Sequence, residues 1–255
     1  VPRSHPLRDA GLAISLMSII PTRSRWPEGE KTQVAAWFPA VGALYGVVGY
    51  AMVKLADLAG ADRRAPLVVG ALVLGVWALL GRFLHWDGLA DVADGFWGSH
   101  EPARRLEIMS DSATGAFGAT AVTLVALLEV AALGAVIGRP HELPILVVPI
   151  VARFSATAAA WLGTPARSGG LGRSVMGHPT TFALLIALVP LAGSLCGLWL
   201  GFKMTGVALG ALGIFVAFSV PHVLAGRFGG VTGDVMGASV LITEAILFAS
   251  FALVV

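Results

Sequence analysis

Apolar runs long enough to cross a bilayer constrain this chain more than any other feature. A spanning helix needs about 20 mostly apolar residues, and seven stretches qualify: 38–59, 66–84, 116–137, 143–163, 181–202, 205–224 and 236–255. Turn signals separate them at Asp62 to Pro66, Gly138-Arg139-Pro140, Thr164-Pro165 and His178-Pro179. The fifth and sixth runs could form one tight hairpin around Lys203. Residues 7–20 are too short to cross and are expected at the interface or tucked into the bundle. The composition agrees, with 56% hydrophobic residues, 13% charged residues and a mean hydropathy of +0.83. The 32 glycines suit helices that approach closely in lipid. The expected fold is therefore all-α: a polytopic integral membrane helical bundle of about seven transmembrane helices plus a short N-terminal helix.

No polar linker divides the chain, so residues 6–255 are expected to form one transmembrane domain. The opening VPRSH reads as a tag remnant over residues 1–5, and His5 is set aside with it. A net charge of +2 argues against nucleic acid as a partner. The single cysteine, Cys196, excludes disulfides and thiolate metal sites within one chain. Orientation follows from the basic loop residues. Arg3, Arg8, Arg23, Arg25, Lys31, Arg104, Arg105, Arg167, Arg173 and Arg227 fall on one side, and Arg63, Arg64, Arg139 and Lys203 on the other. The richer side is expected to be cytoplasmic.

That side also carries the carboxylates. Six of the 15 acids, Asp87, Asp91, Asp94, Glu101, Glu107 and Asp111, lie within residues 87–111. On a helix, Asp87, Asp91 and Asp94 step by four and three residues and share a face, and Glu107 and Asp111 repeat the four-residue step. Like charges so placed repel, and Mg²⁺ is a natural counter-ion for hard carboxylate oxygens. Asp87, Asp91, Asp94, Glu107 and Asp111 are the candidate metal ligands. The two groups converge if the chain turns near Gly98–Pro102; otherwise they form an ordinary solvated helix end. Asp87 could instead hold Arg82 or His85, Glu101 suits a helix start beside Pro102, and Asp111 is either a ligand or a general base.

Two further charged, glycine-bearing segments face the same compartment. In ARSGGLGRS (166–174), Arg167 and Arg173 bracket glycines that let backbone N–H groups approach an anion. With Arg104 and Arg105 they are candidates for binding phosphate, because guanidinium forks engage it bidentately; orientation alone is the competing reading. In GRFGGVTGDVMGA (226–238), Asp234 either caps the last helix or supports the pocket. Glu129 and Glu244 could be hydrogen-bond partners between helices. His85 and His178 lack metal-ligand spacing.

LHWDGLADVADGFWG (84–98), RRLEIMSDSATGAFG (104–118), ARSGGLGRS and GRFGGVTGDVMGA, in this order, resemble the cobalamin synthase family, the adenosylcobinamide-GDP ribazoletransferases. SIIPTRSRWP (18–27) matches the family more weakly. Trp86 stands where an aliphatic residue is common, and Ala113 where many members carry a basic residue. The resemblance implies an Mg²⁺-dependent enzyme of the bacterial cytoplasmic (inner) membrane with its active site facing the cytoplasm. It implies joining of adenosylcobinamide-GDP and α-ribazole 5′-phosphate, or α-ribazole, with release of GMP. Asp91, Asp94, Glu107 and Asp111 would be catalytic, Asp87 and Asp234 supporting. The lipid bilayer is the expected surrounding partner, and homo-oligomerisation stays open. D-x-x-D-G followed by an acid pair is also similar to CDP-alcohol phosphotransferases, which act on lipid head groups. An ion-coupled transporter is the rival of a different class.

Overall fold

The computed structural model describes residues 5–27, 32–139 and 142–254. Residues 1–4 of the expected tag remnant lie outside them, as do Lys31, Pro140 and Val255. Among the described residues the fold is helical, and the only extended pairing is an isolated parallel bridge between Pro165 and Val231.

In chain order the helices are α1 (Pro6–Met17), α2 (Phe38–Leu58, entered through a 3₁₀ turn, Val34–Trp37), α3 (Ala61–Arg64), α4 (Pro66–Leu80) and α5 (Leu84–Gly98). Then follow α6 (Pro102–Ile108), α7 (Ala116–Val136), α8 (Leu143–Leu162), α9 (Leu171–Val175), α10 (Thr181–Phe228) and α11 (Gly233–Val254). Five helices are long and apolar enough to cross a membrane: α2 with its entering turn, α7, α8, α10 and α11. This is a multi-pass membrane protein.

Two departures from the expected spans have backbone causes. The run 66–84 does not cross as one helix. α4 ends at Leu80, and Arg82 and Phe83 adopt positive φ of 52° and 57°. α5 then leaves at 90° to α4. α4 and α5 qualify as a span only when taken together, and α5 alone, with its three aspartates, does not. The runs 181–202 and 205–224 do form a hairpin. α10 is broken at Lys203 (φ 53°, ψ −129°), and beyond it Gly206 packs on Leu198 and Gly210 on Leu195. The count of seven crossings is therefore approximate.

Small residues set the closest helix contacts. Gly42 and Gly46 lay α2 against the backbone of α8 at Pro149 and Leu146, where any side chain would collide. α1 is half-buried against the bundle. Its last carbonyls accept from the Tyr45 hydroxyl (to Met17, 2.6 Å) and from Arg82 Nη2 (to Ser15, 2.9 Å). Arg82 is thus engaged with α1 and not with Asp87.

Candidate active site

The acidic face of α5 is brought to the start of α11. The two backbones touch at Gly88, where a Cβ would stand 2.9 Å from the carbonyl oxygen of Asp234. Thr232 is what caps α11. Its Oγ1 accepts the Val235 N–H (3.1 Å), and its carbonyl accepts the Met236 N–H (3.2 Å). This relieves Asp234 of the capping role, and its Oδ2 accepts from the Thr232 hydroxyl at 3.3 Å. The Pro165–Val231 bridge carries Arg167 to the same place: Val231 N–H donates to the Thr164 carbonyl (2.7 Å), and Ala166 N–H to the Val231 carbonyl (3.0 Å).

Asp91 stands at the centre of this arrangement. Burial first, then the charges of Asp234, Asp87 and Asp94, push its carboxyl up to about 7, and Arg167 pulls the other way. Four of the residues singled out by spacing or sequence segment (Asp87, Asp91, Asp234 and Arg167) therefore share one electrostatic environment. Asp87 is exposed, while Asp91 and Asp234 are partly buried.

Asp94 is buried and committed to the backbone. Its Oδ2 accepts the Gly115 N–H (2.7 Å), and its Oδ1 accepts the Gly118 N–H (2.8 Å). It thereby holds the first turn of α7, satisfying amides that a helix start leaves without partners. Gly118 has no room for a Cβ because the Asp94 carboxylate lies there.

Glu107 and Asp111 are not among the charges that act on Asp91, and each is engaged locally. Glu107 pairs with Arg104 at 2.7 Å, both side chains 64% exposed, as an i,i+3 pair on the outer face of α6. Asp111 is exposed, and its Oδ1 accepts the Ala113 N–H (3.0 Å) in a local turn. Arg105 is buried. Its Nε donates to the Ser99 carbonyl and its Nη1 to the Arg227 carbonyl, each at 2.7 Å, with the guanidinium between the Phe96 and Phe228 rings. Those donors tie α6 to the end of α10. Of the four candidate arginines, Arg167 and Arg173 alone line the adjoining cavity, and Arg167 Nη2 also donates to the Leu106 carbonyl (2.7 Å).

That cavity, of about 240 Å³, opens beside Asp234 and runs under the 166–175 segment into the end of the bundle. Its apolar wall includes Leu16 and Met17 of α1 and Phe38 of α2, which sequence reasoning did not single out. Nothing in an apolar helix end announces a cavity wall; only the tertiary arrangement does.

The donor set bears on a metal. Among the described residues, no three His, Cys, Asp or Glu side chains stand close enough together to hold an ion. Mg²⁺, however, commonly takes one or two carboxylates and completes its shell with water and substrate phosphates. Asp91 and Asp234, hard oxygen donors on two elements that meet at Gly88, fit a site of that sort.

A sequence model of the cobalamin-5-phosphate synthase family matches residues 9–252. The chain is 40% identical to an adenosylcobinamide-GDP ribazoletransferase of Syntrophobacter fumaroxidans over 88% of each chain. Similar proteins of the same name occur in Frankia casuarinae (37% identical; 93% of this chain, 91% of the relative) and Pseudomonas aeruginosa strain UCBPP-PA14 (35%; 97% and 98%). No solved structure matches. A match of this extent, on a membrane bundle that gathers the acidic and arginine segments at one end, makes the chain an enzyme, a transferase belonging to the cobalamin-5-phosphate synthase family.

Proposed function

We propose that this enzyme joins adenosylcobinamide-GDP to α-ribazole 5′-phosphate, or to α-ribazole, yielding adenosylcobalamin 5′-phosphate, or adenosylcobalamin, and GMP. A ribose hydroxyl oxygen forms a bond to the corrinoid-side phosphorus, the bond from that phosphorus to the GMP oxygen breaks, and the hydroxyl proton departs to a base. The observation that carries this reading is the setting of Asp91: a partly buried carboxylate crowded by Asp234, Asp87 and Asp94, with Arg167 as its cationic neighbour. Such crowding is unfavourable in isolation and is relieved by a cation.

Asp91 and Asp234 would hold Mg²⁺, with Asp87 in support. The ion, when bound, would neutralise pyrophosphate charge and stabilise the leaving oxygen. Arg167 and Arg173, which line the cavity with Asp234, bind substrate phosphate oxygens. Asp94 acts as a positioning residue: it fixes the start of α7 against α5 and so fixes the direction in which Asp91 points. Arg105 holds α6 in place through carbonyls and aromatic faces. Asp111, in the loop before α7, is the candidate acceptor of the hydroxyl proton. Catalysis of this sort rests on positioning and charge stabilisation. The excess of basic residues on the loops around this end supports a site on the cytoplasmic face of the bacterial inner membrane.

The test is GMP release by purified protein in detergent, supplied with both substrates. Release should require Mg²⁺, stop with a chelator and resume with Mn²⁺. Release undiminished by chelation would refute the metal role. Turnover of a CDP-alcohol with none of the GDP-activated corrinoid would refute the substrate assignment.

A further inference from the structure

We infer that the cavity beside Asp234 is the seat of the aromatic base of the hydroxyl-bearing substrate, so that the benzimidazole-type nucleoside enters the protein and the GDP-activated corrinoid stays outside. The inference rests on the transfer reading above and adds to it which substrate goes where.

The cavity is too large to be a packing fault. Interiors keep few voids bigger than a water molecule, and this one measures about 240 Å³. Its wall is largely apolar, with Met17, Phe38, Ala156, Val175 and Met236, and also carries His85, whose buried Nε2 has no hydrogen-bond partner among the described residues. Polar contacts around it keep it open. The Tyr45 hydroxyl fixes the Met17 carbonyl at 2.6 Å, and the Ile19 N–H is held on the Leu80 carbonyl at 2.7 Å. On the other side, the Thr32 hydroxyl donates to the Ser174 carbonyl (3.2 Å) and the Gly177 N–H to the Ala160 carbonyl (3.1 Å).

Three groups compete for such a space. A corrin macrocycle is far wider than the cavity. Guanine carries donors and acceptors around most of its rim. A wall whose one buried, unpartnered polar side-chain atom among the described residues is His85 Nε2 would leave most of them unpaired at considerable cost. The base of a benzimidazole nucleoside has a hydrocarbon ring, no N–H once glycosylated, and one free ring nitrogen. It can be buried here with little polar loss and can meet the Phe38 ring. The charged groups are placed to match. Arg167, Arg173 and Asp234 line the cavity. A base lodged among the apolar residues therefore brings its ribose beside Asp234 and Asp91 and any 5′-phosphate to the arginines. The phosphorus to be attacked then approaches from the open side, over the carboxylates.

Two measurements test this. Ala156→Leu narrows the cavity without touching the charged groups. It should raise the KM for α-ribazole and weaken its equilibrium binding by about ten-fold or more, while the KM for adenosylcobinamide-GDP changes by less than about two-fold. The opposite split, or no change in either, overturns the assignment. Independently of any variant's folding, a photoreactive azidobenzimidazole ribonucleoside should label wild-type protein on peptides containing Met17, Phe38 or Val175, and α-ribazole but not GDP should protect them. Labelling confined to residues 96–115, protection by GDP instead, or no labelling contradicts the inference. Labelling needs no turnover, so its failure is distinct from failure of the transfer reading, which GMP release reports.

Discussion

Two groups of charged residues lie within this bundle, and they are built on opposite plans. At the heart of the helices, Glu244 of α11 meets Arg153 of α8 at 2.6 Å, each side chain no more than 3% exposed. The guanidinium also lies 4.1 Å from the centre of the Tyr45 ring, whose hydroxyl reaches α1. At the end of the bundle, the charges of Asp234, Asp87 and Asp94 all act on Asp91, and Arg167 is the cation that opposes them. In the first region a carboxylate in apolar surroundings has its counter-charge built in. In the second, negative charge is left in excess. The contrast separates a fold-determining ion pair from a site whose counter-charge is expected to arrive with metal and substrate. Glu129 is fully buried on α7, and its carboxyl oxygens have no hydrogen-bond partner among the described residues, so it is not hydrogen-bonded to Glu244.

The sharpest way to break the comparison is to remove charge from each region. Asp91→Asn should lower kcat by about 10²–10³-fold or more, as loss of a preorganised electrostatic group does. It should also stabilise the metal-free protein. Because the folded state holds this carboxyl up near 7, ionising it weakens the fold as pH rises from the ordinary carboxylate range to about 7, with no further loss above. The gain in melting temperature should therefore be present at pH 8 and nearly absent at pH 4. Arg153→Met should do the reverse, costing about 3–5 kcal/mol by stranding a buried Glu244. Arg153→Met combined with Glu244→Leu should recover most of that in a melting experiment. Asp94→Asn comes next: its amide nitrogen would face an N–H of Gly115 or Gly118, so the loss should be about 1–3 kcal/mol of stability, with activity falling as α7 loosens. Glu107→Gln should have the smallest effect on stability, within about 0–1 kcal/mol, because its ion pair with Arg104 is exposed.

The long spans were readable because apolar length is itself the physical requirement for crossing lipid. The bend after α4 was not. Phe83 and Leu84 continue the apolar run, and the positive φ at Arg82 and Phe83 falls on residues that carry no turn signal. Lys203 gave its hairpin away because a charge interrupted apolar sequence. Helical spacing correctly placed Asp91 and Asp94 on one helix, but spacing along one helix does not say what stands opposite. Asp94 meets the amides of α7 and Asp91 meets α11. Asp234 was ambiguous between cap and site, since Thr232 two residues earlier could cap equally well, and the hydrogen bond to Val235 decides it. Arg104 and Glu107, three residues apart on a short helix, carried a local pairing signal of their own. The buried use of Arg105 depends on carbonyls more than a hundred residues away in the chain.

The central claim is that Asp91 and Asp234, from α5 and α11, hold one divalent ion between them. Mn²⁺ titrated into wild-type enzyme, with its spin resonance and its anomalous scattering both recorded, tests it most directly. The expected result is an ion in contact with both carboxylates, with affinity falling at least about ten-fold in Asp91→Asn and in Asp234→Asn but not in Glu107→Gln. An ion seated on Glu107 and Asp111, or unchanged affinity in the first two variants, would contradict it.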